Sequence, residues 1–331
     1  MLILNAAEVR QSLPMPQAVQ AMKEAFAAFS SGQAVVPPRT HLAVPQHSGV
    51  SLIMPALVND ADSGKQALAV KVVSVFDKNA ERGLARIQAA VLVIDPATGQ
   101  PLALLEGATL TAIRTAAASG AATDLLSRPD SRTLAILGAG VQARTHLAAI
   151  CAVRTISEVR IYSRRPAAVE ALISESADLS SRGVQFVAAA SPRDAIERAD
   201  IICTTTTAST PVFEDVDIAV GTHLNAVGSY TPQAREVPAE TVVRALVVVD
   251  SRQAAWDEAG DLIQPLQAGL IDREHIHAEL GEIVLGRKAG RSDDSQITFF
   301  KSVGLAVQDA VAARCALEAA RQMGLGRQVE W

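Results

Sequence analysis

The stretch Thr133-Leu-Ala-Ile-Leu-Gly138-Ala-Gly140-Val-Gln-Ala143 joins a short apolar run to two closely spaced glycines and a helix-forming segment. A buried strand followed by G-x-G-x-x-A at the start of a helix is typical of a dinucleotide-binding turn. The first glycine permits the tight turn, the second lets the backbone approach a pyrophosphate, and the small third residue allows close packing. The amides and the positive dipole end of the helix would face the anion. We therefore expect a nucleotide site at this turn.

Short apolar runs alternate with helical stretches from this turn onward. The runs are Leu134–Leu137, Val159–Tyr162, Val184–Val187, Ile201–Thr204, Leu224–Val227 and Leu246–Val249. Buried parallel strands joined by crossover helices have this pattern. A glycine-rich turn without a ligand is the alternative interpretation of Gly138 and Gly140, but the alternation favours a Rossmann dinucleotide-binding domain. We place this domain at residues 128–304.

The segment before the Rossmann domain has a different pattern. Its β-type runs are Ser51–Leu57, Ala67–Val75, Ile87–Ile94 and Leu102–Glu106. Turn-forming sequences such as Asp62-Ser63-Gly64 separate them, which predicts an antiparallel sheet. A helix over 109–126 leads to a polar hinge at 127–132. We expect an α/β protein in which an α+β domain at residues 1–127, completed by a C-terminal helix within residues 305–331, precedes the Rossmann domain.

The composition of the 331 residues is that of a globular protein, with 49% hydrophobic and 20% charged residues. A net charge of −5 provides no basic surface for a polyanion, so we expect no nucleic-acid partner. No apolar run approaches the roughly 20 residues of a membrane span, and the N-terminal residues do not resemble a secretory signal. The three cysteines lie far apart, which suits a reducing compartment and gives no metal-binding pair. We expect a cytoplasmic protein with no membrane partner and no metal.

The second Rossmann strand indicates which dinucleotide is bound. NAD-selective sites usually end this strand in an acidic residue that binds the ribose 2′-hydroxyl. Here Ser163, Arg164 and Arg165 follow the strand, and a hydroxyl with two guanidinium groups suits a 2′-phosphate. The alternative is a solvated pair of arginines at the surface. We expect NADPH to be preferred, with NADH as a possible substitute.

Three basic residues before the Rossmann domain, Arg39, Lys71 and Arg114, are surrounded by apolar or small residues. Lys71 lies between Val70 and Val72 in a predicted strand that buries at least one face. A buried ammonium needs an anionic partner, and a substrate carboxylate would provide one. The alternative for each residue is a surface cation whose stem covers apolar neighbours.

The whole chain resembles the ornithine cyclodeaminase/mu-crystallin family, which also contains an archaeal type of alanine dehydrogenase and reductases of cyclic ketimines. The resemblance rests on the order and spacing of short motifs along essentially the full length. These motifs are Pro38-Arg39, Val70-Lys71-Val72, Thr111–Ser119, Gly138–Ala143, Asn225–Gly228 and Phe300–Gly304.

The resemblance implies a role for each group of site residues. The substrate carboxylate would be held by Arg39, Lys71 and Arg114, with Val303 also at the substrate. The residues at the dinucleotide that the resemblance implies are Val141, Gln142, Thr204 and Ser302. We also expect Arg114, Thr115, Gly138, Gly140, Ser163, Arg164, Arg165 and Val227 to bind it. Family members resemble one another in forming homodimers through the first-domain sheets. Residues 1–127 are therefore assigned to substrate binding and dimerisation.

One position departs from the family pattern. Cyclodeaminases and the alanine dehydrogenase resemble one another in an Asp two residues after the glycine that ends the fifth Rossmann strand, where it handles the amine. This chain has Gly228-Ser229-Tyr230 instead, and tyrosine is a poor base at neutral pH. Oxidation of an amino acid needs a base for its ammonium, whereas reduction of a protonated cyclic imine does not. The departure favours reduction.

We therefore expect NAD(P)H-dependent reduction of Δ1-pyrroline-2-carboxylate or Δ1-piperideine-2-carboxylate to L-proline or L-pipecolate. The run Gly228–Glu236 is similar to reductases of these cyclic ketimines. Lys71 is the candidate catalytic residue, because burial would lower its pKa enough for it to deliver or relay a proton. Three alternatives stay open: an ornithine cyclodeaminase that forms proline and ammonia, an alanine dehydrogenase, and a ligand-binding protein similar to mu-crystallin.

Overall fold

A computed structural model describes residues 1–59 and 65–330, and the chain divides into two compact units. One unit consists of Met1–Arg114 and Leu305–Trp331, and the other of Thr115–Gly304. The expected Asp62-Ser63-Gly64 turn lies outside the described residues. None of the helices in the described ranges is long and apolar enough to cross a membrane.

The first part of the chain forms most of the first unit. Its elements are β1 (Leu2–Leu4), α1 (Ala6–Ser12), α2 (Met15–Ser30), β2 (Ala34–Val35), β3 (Thr40–Val44), β4 (Gly49–Val58), β5 (Ala67–Phe76), β6 (Ile87–Ile94) and β7 (Pro101–Glu106). Helix α1 begins where Asn5 Oδ1 accepts hydrogen bonds from the Ala7 and Glu8 amides, so the cap satisfies two amides of the first turn. Helix α2 buries an apolar stripe that includes Met22 and Phe26.

Helix α3 (Gly107–Leu126) follows β7, and the first segment of the first unit, Met1–Arg114, ends within this helix. The elements that follow are β8 (Thr133–Leu137), α4 (Val141–Val153), β9 (Glu158–Tyr162), α5 (Pro166–Glu175), α6 (Ala177–Ser181), β10 (Gln185–Ala188), α7 (Pro192–Ile196), β11 (Ile201–Thr204), β12 (His223–Ala226), α8 (Ala239–Arg244), β13 (Leu246–Val249), α9 (Arg252–Glu258), α10 (Gly260–Gln267), β14 (Ile276–Glu279), α11 (Leu280–Val284) and β15 (Thr298–Lys301). The chain ends with α12 (Ala306–Met323) and β16 (Arg327–Gln328), which belong to the first unit.

An eight-stranded sheet forms the framework of the first unit, in the order β16-β1-β7-β6-β5-β4-β2 with β3 paired to β4. Strands β4 to β7 form the antiparallel arrangement that the sequence predicts, but β1 runs parallel to β7, so the sheet is mixed. Helix α12 packs across β4, β5 and β6. Residues Ala69, Lys71 and Val73 alternate on the buried face of β5, which places Lys71 on the covered side of the sheet.

Eight parallel strands form the sheet of the second unit, in the order β10-β9-β8-β11-β12-β15-β13-β14. Every residue of β11 and β15 is buried, as expected for strands covered on both faces. The strand order reverses between β8 and β11, and Rossmann domains bind dinucleotides at the carboxyl ends of strands at such a point. The α/β class with a Rossmann domain, expected from the sequence, is confirmed.

The division between the two units falls inside α3, between Arg114 and Thr115. The sequence places this boundary later, at the polar hinge of residues 127–132. The difference has a physical reason, because the second half of α3 is bonded to the second unit. Ser119 Oγ lies 2.9 Å from Nε2 of the buried His146 on α4.

Candidate active site

Lys71 is buried in the first unit beside a carboxylate of the same unit. It lies in the middle of β5, opposite Met54 of β4 and Val91 of β6. Only 1% of Lys71 is exposed, and its Nζ lies 2.6 Å from Asp309 Oδ2 on α12. The buried ammonium inferred from the sequence therefore has an anionic partner within the chain.

Arg114 shares this carboxylate with Lys71. Its Nε donates a hydrogen bond to Asp309 Oδ1 at 2.9 Å, and its Nη1 donates to Gln308 Oε1 at 2.9 Å. The same Gln308 oxygen accepts a hydrogen bond from the Leu305 amide at 3.0 Å. This bond closes the first turn of α12. Arg114, Gln308 and Asp309 are all buried. The start of α12 thus fixes the guanidinium in one orientation.

Lys71, Arg114 and Asp309 form what we call the basic cluster, in which two buried cations face one carboxylate. Burial lowers the pKa of Lys71 to about 7; Arg114 and Arg39 lower it as well, while Asp309 raises it. Arg39 is half-buried and lies between β2 and β3. Burial opposes ionisation of Asp309, but Arg114 and Lys71 outweigh that effect and lower its pKa. The cluster therefore carries positive charge that an anionic ligand would neutralise.

The glycine-rich turn of the second unit lies between β8 and α4 and has the backbone expected from its sequence. Gly138 has a φ of +110°, which favours glycine, and a Cβ there would lie 2.8 Å from the Thr205 carbonyl oxygen. A Cβ at Gly140 would meet nothing within 4 Å, so this backbone faces open space. Arg144 Nη1 donates to the carbonyls of Ala139 and Gly140 at 3.3 and 3.2 Å. The turn is held in place and open on one side.

The first turn of α4 has features that fit a ligand. Val141 is 66% exposed at the amino end of the helix. Within the described ranges, Gln142 Oε1 is buried without a hydrogen-bond partner. A buried acceptor without a partner suits a ligand that brings a hydroxyl or amide donor. The open backbone at Gly140 and the amino end of α4 fit a dinucleotide pyrophosphate.

Ser163, Arg164 and Arg165 separate β9 from α5, and both arginines are exposed. The Arg165 amide donates to Ser163 Oγ at 3.3 Å. For the part of the chain that the structure describes, neither guanidinium makes an ion pair or a hydrogen bond. The two arginines are therefore uncommitted and could bind a phosphate.

Glu236 is a buried carboxylate that fixes the loops after β11 and β12. It accepts hydrogen bonds from Thr204 Oγ1 at 2.9 Å, from the Thr206 amide and hydroxyl at 2.7 Å, and from the Gly228 amide at 2.7 Å. Burial raises the pKa of Glu236, and the hydrogen bonds from Thr206 partly offset this increase. The Val227 amide donates to the Thr204 carbonyl at 3.2 Å. Thr204 and Val227 thus lie on adjacent, rigidly held strand ends.

Tyr230 lies in the loop after β12 and is 43% exposed. The preceding residue, Ser229, is buried, and its hydroxyl lies 2.5 Å from Asp261 Oδ2. Lys301 Nζ lies 2.8 Å from the same oxygen and donates to the Ser229 carbonyl at 2.6 Å. Burial opposes ionisation of Asp261, but Lys301 and the surrounding donors outweigh it and lower the pKa. A buried Asp261–Lys301 ion pair therefore anchors the loop that presents Tyr230.

Asp250 organises the segment that follows β15. Its Oδ2 accepts hydrogen bonds from the Ser302 hydroxyl at 2.8 Å, the Val303 amide at 2.9 Å and the Gly304 amide at 2.7 Å. Ser302 and Val303, two of the expected site residues, are therefore held by one carboxylate.

The structure brings the expected residues together in two groups, one in each unit. In the first unit, Lys71 and Arg114 share Asp309, and Arg39 lies close enough to lower the pKa of Lys71. In the second, the glycine turn and the other expected dinucleotide residues lie at or beyond strand ends, except Thr115, which lies in α3. Arg114, which is also expected at the dinucleotide, belongs to the first unit. The roles assigned to these residues stay predictions.

Several polar and charged side chains that organise both groups are absent from the set expected from the sequence. They are Glu236, Asp250, Asp261, Lys301, Gln308 and Asp309. The sequence contains a sign that Lys301 is buried, because it follows Phe299 and Phe300 in an apolar run, as Lys71 follows Val70. The carboxylates gave no comparable signal.

Comparison with known proteins gives the family. The model of the ornithine cyclodeaminase/mu-crystallin family matches residues 1–324. A Delta(1)-pyrroline-2-carboxylate reductase from Bacillus cereus is 41% identical over 332 residues, which cover 100% of both proteins.

Two solved structures have the same fold. Thermococcus litoralis Delta(1)-pyrroline-2-carboxylate reductase in complex with NADH and L-proline is 44% identical, with a TM-score of 0.94 and coverage of 99% of this chain and 100% of that one. An archaeal alanine dehydrogenase dimer with bound NAD is 32% identical, with a TM-score of 0.91 and coverage of 100% and 99%. The resemblance inferred from short motifs is confirmed, and the chain belongs to the ornithine cyclodeaminase/mu-crystallin family.

Proposed function

We propose that the protein is an NAD(P)H-dependent imine reductase that converts a cyclic ketimine carboxylate to the cyclic amino acid. The observation that carries the proposal is the basic cluster, where two buried cations face a single carboxylate. A substrate carboxylate would neutralise the remaining positive charge. Δ1-Pyrroline-2-carboxylate, which would give L-proline, is the substrate named for two of the relatives. Δ1-Piperideine-2-carboxylate, which would give L-pipecolate, is the larger-ring candidate.

Arg114 is well suited to bind the substrate carboxylate. Asp309 and Gln308 hold its Nε and Nη1, and within the described residues its Nη2 makes no hydrogen bond. The guanidinium is therefore already fixed in place, and its Nη2 can donate to a ligand without a further loss of side-chain conformational entropy. Lys71 and Arg39 would supply the other positive charges, and Val303 would contact the substrate from the segment after β15.

The second unit would hold the dinucleotide, which supplies the hydride when bound. The turn at Gly138 and Gly140, with Val141 and Gln142, would hold the pyrophosphate. The remaining contacts from this unit would come from Thr115, Thr204, Val227 and Ser302, and Arg114 of the first unit would add one more. Arg164 and Arg165, with Ser163, would bind a 2′-phosphate, so we propose that NADPH is preferred over NADH.

Replacing both arginines tests this preference. In the Arg164→Ala/Arg165→Ala double variant, we expect KM for NADPH to rise about tenfold or more, because charge-assisted hydrogen bonds contribute about 1.5–3 kcal/mol. KM for NADH should change little, since NADH has no 2′-phosphate. Arg193→Ala, which removes another exposed arginine of the same unit, is the control. Equal increases for both cofactors would contradict the assignment.

Lys71 would deliver the proton that the reaction consumes. Reduction breaks the π bond of C=N, places the hydride on C2 and places a proton on the nitrogen. A pKa of about 7 leaves a large fraction of Lys71 as ammonium at neutral pH while still allowing it to release the proton. Lys71 Nζ would give its proton to the imine nitrogen and recover one from solvent.

Tyr230 favours reduction over the oxidative reactions of the family. Oxidation of ornithine or alanine requires a base that takes a proton from the substrate ammonium. The side chain two residues after Gly228 is a partly exposed tyrosine, which is a poor base at neutral pH. The buried carboxylate of Asp261 is paired with Lys301 and with the Ser229 hydroxyl, so it does not serve as that base.

The proposal is tested by following NADPH absorbance with the purified protein and each cyclic ketimine. We expect rapid oxidation of NADPH by Δ1-pyrroline-2-carboxylate or Δ1-piperideine-2-carboxylate, and the ratio of their kcat/KM values will give the preferred ring size. Parallel assays use pyruvate with ammonia, and L-ornithine with NAD. Turnover in those assays without ketimine reduction would replace the proposal with an alanine dehydrogenase or a cyclodeaminase. Dinucleotide binding without any turnover would indicate a ligand-binding protein.

We also propose a homodimer formed through the sheet of the first unit. Val35, Leu42, Ile53 and Val72 are 58%, 58%, 37% and 43% exposed. Ile53 and Val72 are paired in register, and alternation along β5 places Val72 on the face opposite Lys71. Exposed apolar surface of this kind is typical of a protein interface. The archaeal relative described above is a dimer.

Sedimentation equilibrium tests the assembly. We expect the unmodified protein to have a mass of twice the 34.7 kDa of one chain. Ile53→Glu places a charge within the apolar face, so its mass should shift toward that of a single chain. Leu270→Glu, at an exposed leucine of the second unit, is the control and should stay dimeric. A monomeric unmodified protein would contradict the proposal.

A cytoplasmic location is proposed on the grounds of the cysteines. Cys151, Cys203 and Cys315 are all free thiols, which suits a reducing compartment.

A further inference from the structure

Asp309 holds both buried cations of the basic cluster at once. Its Oδ2 lies 2.6 Å from Lys71 Nζ, and its Oδ1 accepts from Arg114 Nε at 2.9 Å. All three side chains come from different elements: Lys71 from β5, Arg114 from α3 and Asp309 from α12. Without the carboxylate, two buried cations would be left adjacent, and like charges in a poorly solvated site disfavour each other strongly.

Gln308 supports this arrangement with a neutral side chain. Its Oε1 accepts from Arg114 Nη1 and from the Leu305 amide, which uses both of its lone-pair directions. Its Nε2 is buried without a partner among the residues that the structure describes. An unpartnered buried donor beside Arg114 indicates that the site is built for a ligand acceptor.

We propose that Asp309 is a positioning residue for the reductive reaction: it fixes Lys71 and Arg114 and keeps Lys71 in the ammonium form, while leaving the cluster a surplus of positive charge for one substrate carboxylate. The inference rests on the proposed function and deepens it. Asp309 itself acts through its two cations and donates nothing to the substrate.

The charges around Lys71 determine how its protonation responds to Asp309. Arg114 on α3 and Arg39 from the segment between β2 and β3 both favour loss of the Lys71 proton. Asp309 on α12 is the carboxylate that opposes them. Removal of this charge should therefore lower the pKa of Lys71, and addition of a second carboxylate near Arg114 should raise it.

The first test is the pH profile of kcat/KM for ketimine reduction in Asp309→Asn. If the Lys71 ammonium is the proton donor, kcat/KM is highest below its pKa and declines as pH rises through it. We expect the midpoint of this decline to move to lower pH by about one unit or more in Asp309→Asn, because an opposite charge at this distance shifts a pKa by about 1–3 units. Titration of the substrate imine is common to all variants and cancels in the comparison.

The second test adds a charge at the neighbouring position. In Gln308→Glu the new carboxylate can still accept from Arg114 and from the Leu305 amide, and it neutralises the surplus positive charge. We expect the midpoint to move to higher pH, and KM for the ketimine to rise about tenfold or more because its carboxylate is no longer needed for charge balance. This variant keeps the proposal testable if Asp309→Asn does not fold.

Glu318→Gln, an exposed carboxylate on the same helix, is the matched control and should leave the profile unchanged. Midpoints that move in opposite directions in the two test variants support the proposal. Reduced rates with the midpoint unmoved in every folded variant would overturn it, because a purely structural role lowers activity at all pH values. Absence of ketimine reduction in the unmodified protein would instead overturn the proposed function, so the two failures are distinguishable.

Discussion

Lys71→Met is expected to lower kcat/KM for ketimine reduction by about a thousandfold, within the range of about 10²–10⁴ for loss of a general acid. The substitution removes the proposed proton donor and one of the cations that would bind the substrate carboxylate. Methionine has a similar length and no charge, and Arg114 still neutralises Asp309 at 2.9 Å. The unit should therefore keep its fold while losing activity.

Stopped-flow and steady-state measurements with NADPH and Δ1-pyrroline-2-carboxylate give the effect. The dissociation constant for NADPH should stay within about twofold of the unmodified protein, because all of the proposed dinucleotide residues except Arg114 lie in the other unit. Lys65→Met, at a half-exposed lysine just before β5, is the matched control and should retain activity. If Lys71→Met reduces the ketimine at a near-normal rate, Lys71 is not the proton donor.

Lys301→Met is expected to destabilise the second unit by about 3–5 kcal/mol, the range for removal of one partner of a buried ion pair. Lys301 and Asp261 are both 0% exposed, so Asp261 would be left with a buried charge that water cannot reach. The Ser229 carbonyl would also lose the donor that lies 2.6 Å away. The loop that presents Tyr230 would therefore lose its anchor.

Thermal unfolding measures this loss, with a decrease in Tm of about 10 °C or more expected for a unit of this size. The Lys301→Met/Asp261→Asn double variant should recover part of the stability, because it removes the unpaired charge. Arg182→Met, which breaks an exposed ion pair with Asp178 in the same unit, should change Tm little. A Lys301→Met protein as stable as the unmodified one would show that the pair is not a major contributor.

The Rossmann unit could be predicted from the sequence because its strands are buried on both faces and carry uninterrupted apolar runs. Strand β11 (Ile201–Thr204) and strand β13 (Leu246–Val249) have the bounds expected from the sequence. Strand β15 was missed because its apolar residues Phe299 and Phe300 lie between Thr298 and Lys301, which read as polar ends. Thr298 and Lys301 can be buried only because they have partners elsewhere in the fold.

The basic cluster could be predicted only in part. Lys71 was recognisable because it lies within an apolar run, and a strand of this kind buries at least one face. Asp309 was not recognisable, because it is 195 residues from Arg114 in the chain and lies in a helix of ordinary amphipathic pattern. Pairings over such separations depend on how α12 packs across the sheet, which a single sequence does not specify.

Transfer of deuterium from the dinucleotide to the imine carbon is the sharpest test of the proposed reduction. Δ1-Pyrroline-2-carboxylate is incubated with the protein and with NADPH deuterated at the reactive position of its nicotinamide, and the amino acid is analysed by mass spectrometry and NMR. We expect L-proline that carries deuterium at Cα, formed rapidly by the unmodified protein and only slowly by Lys71→Met. Absence of labelled proline would show that hydride is not transferred to C2 of this imine, and formation at the same rate by both proteins would show that Lys71 is not the proton donor.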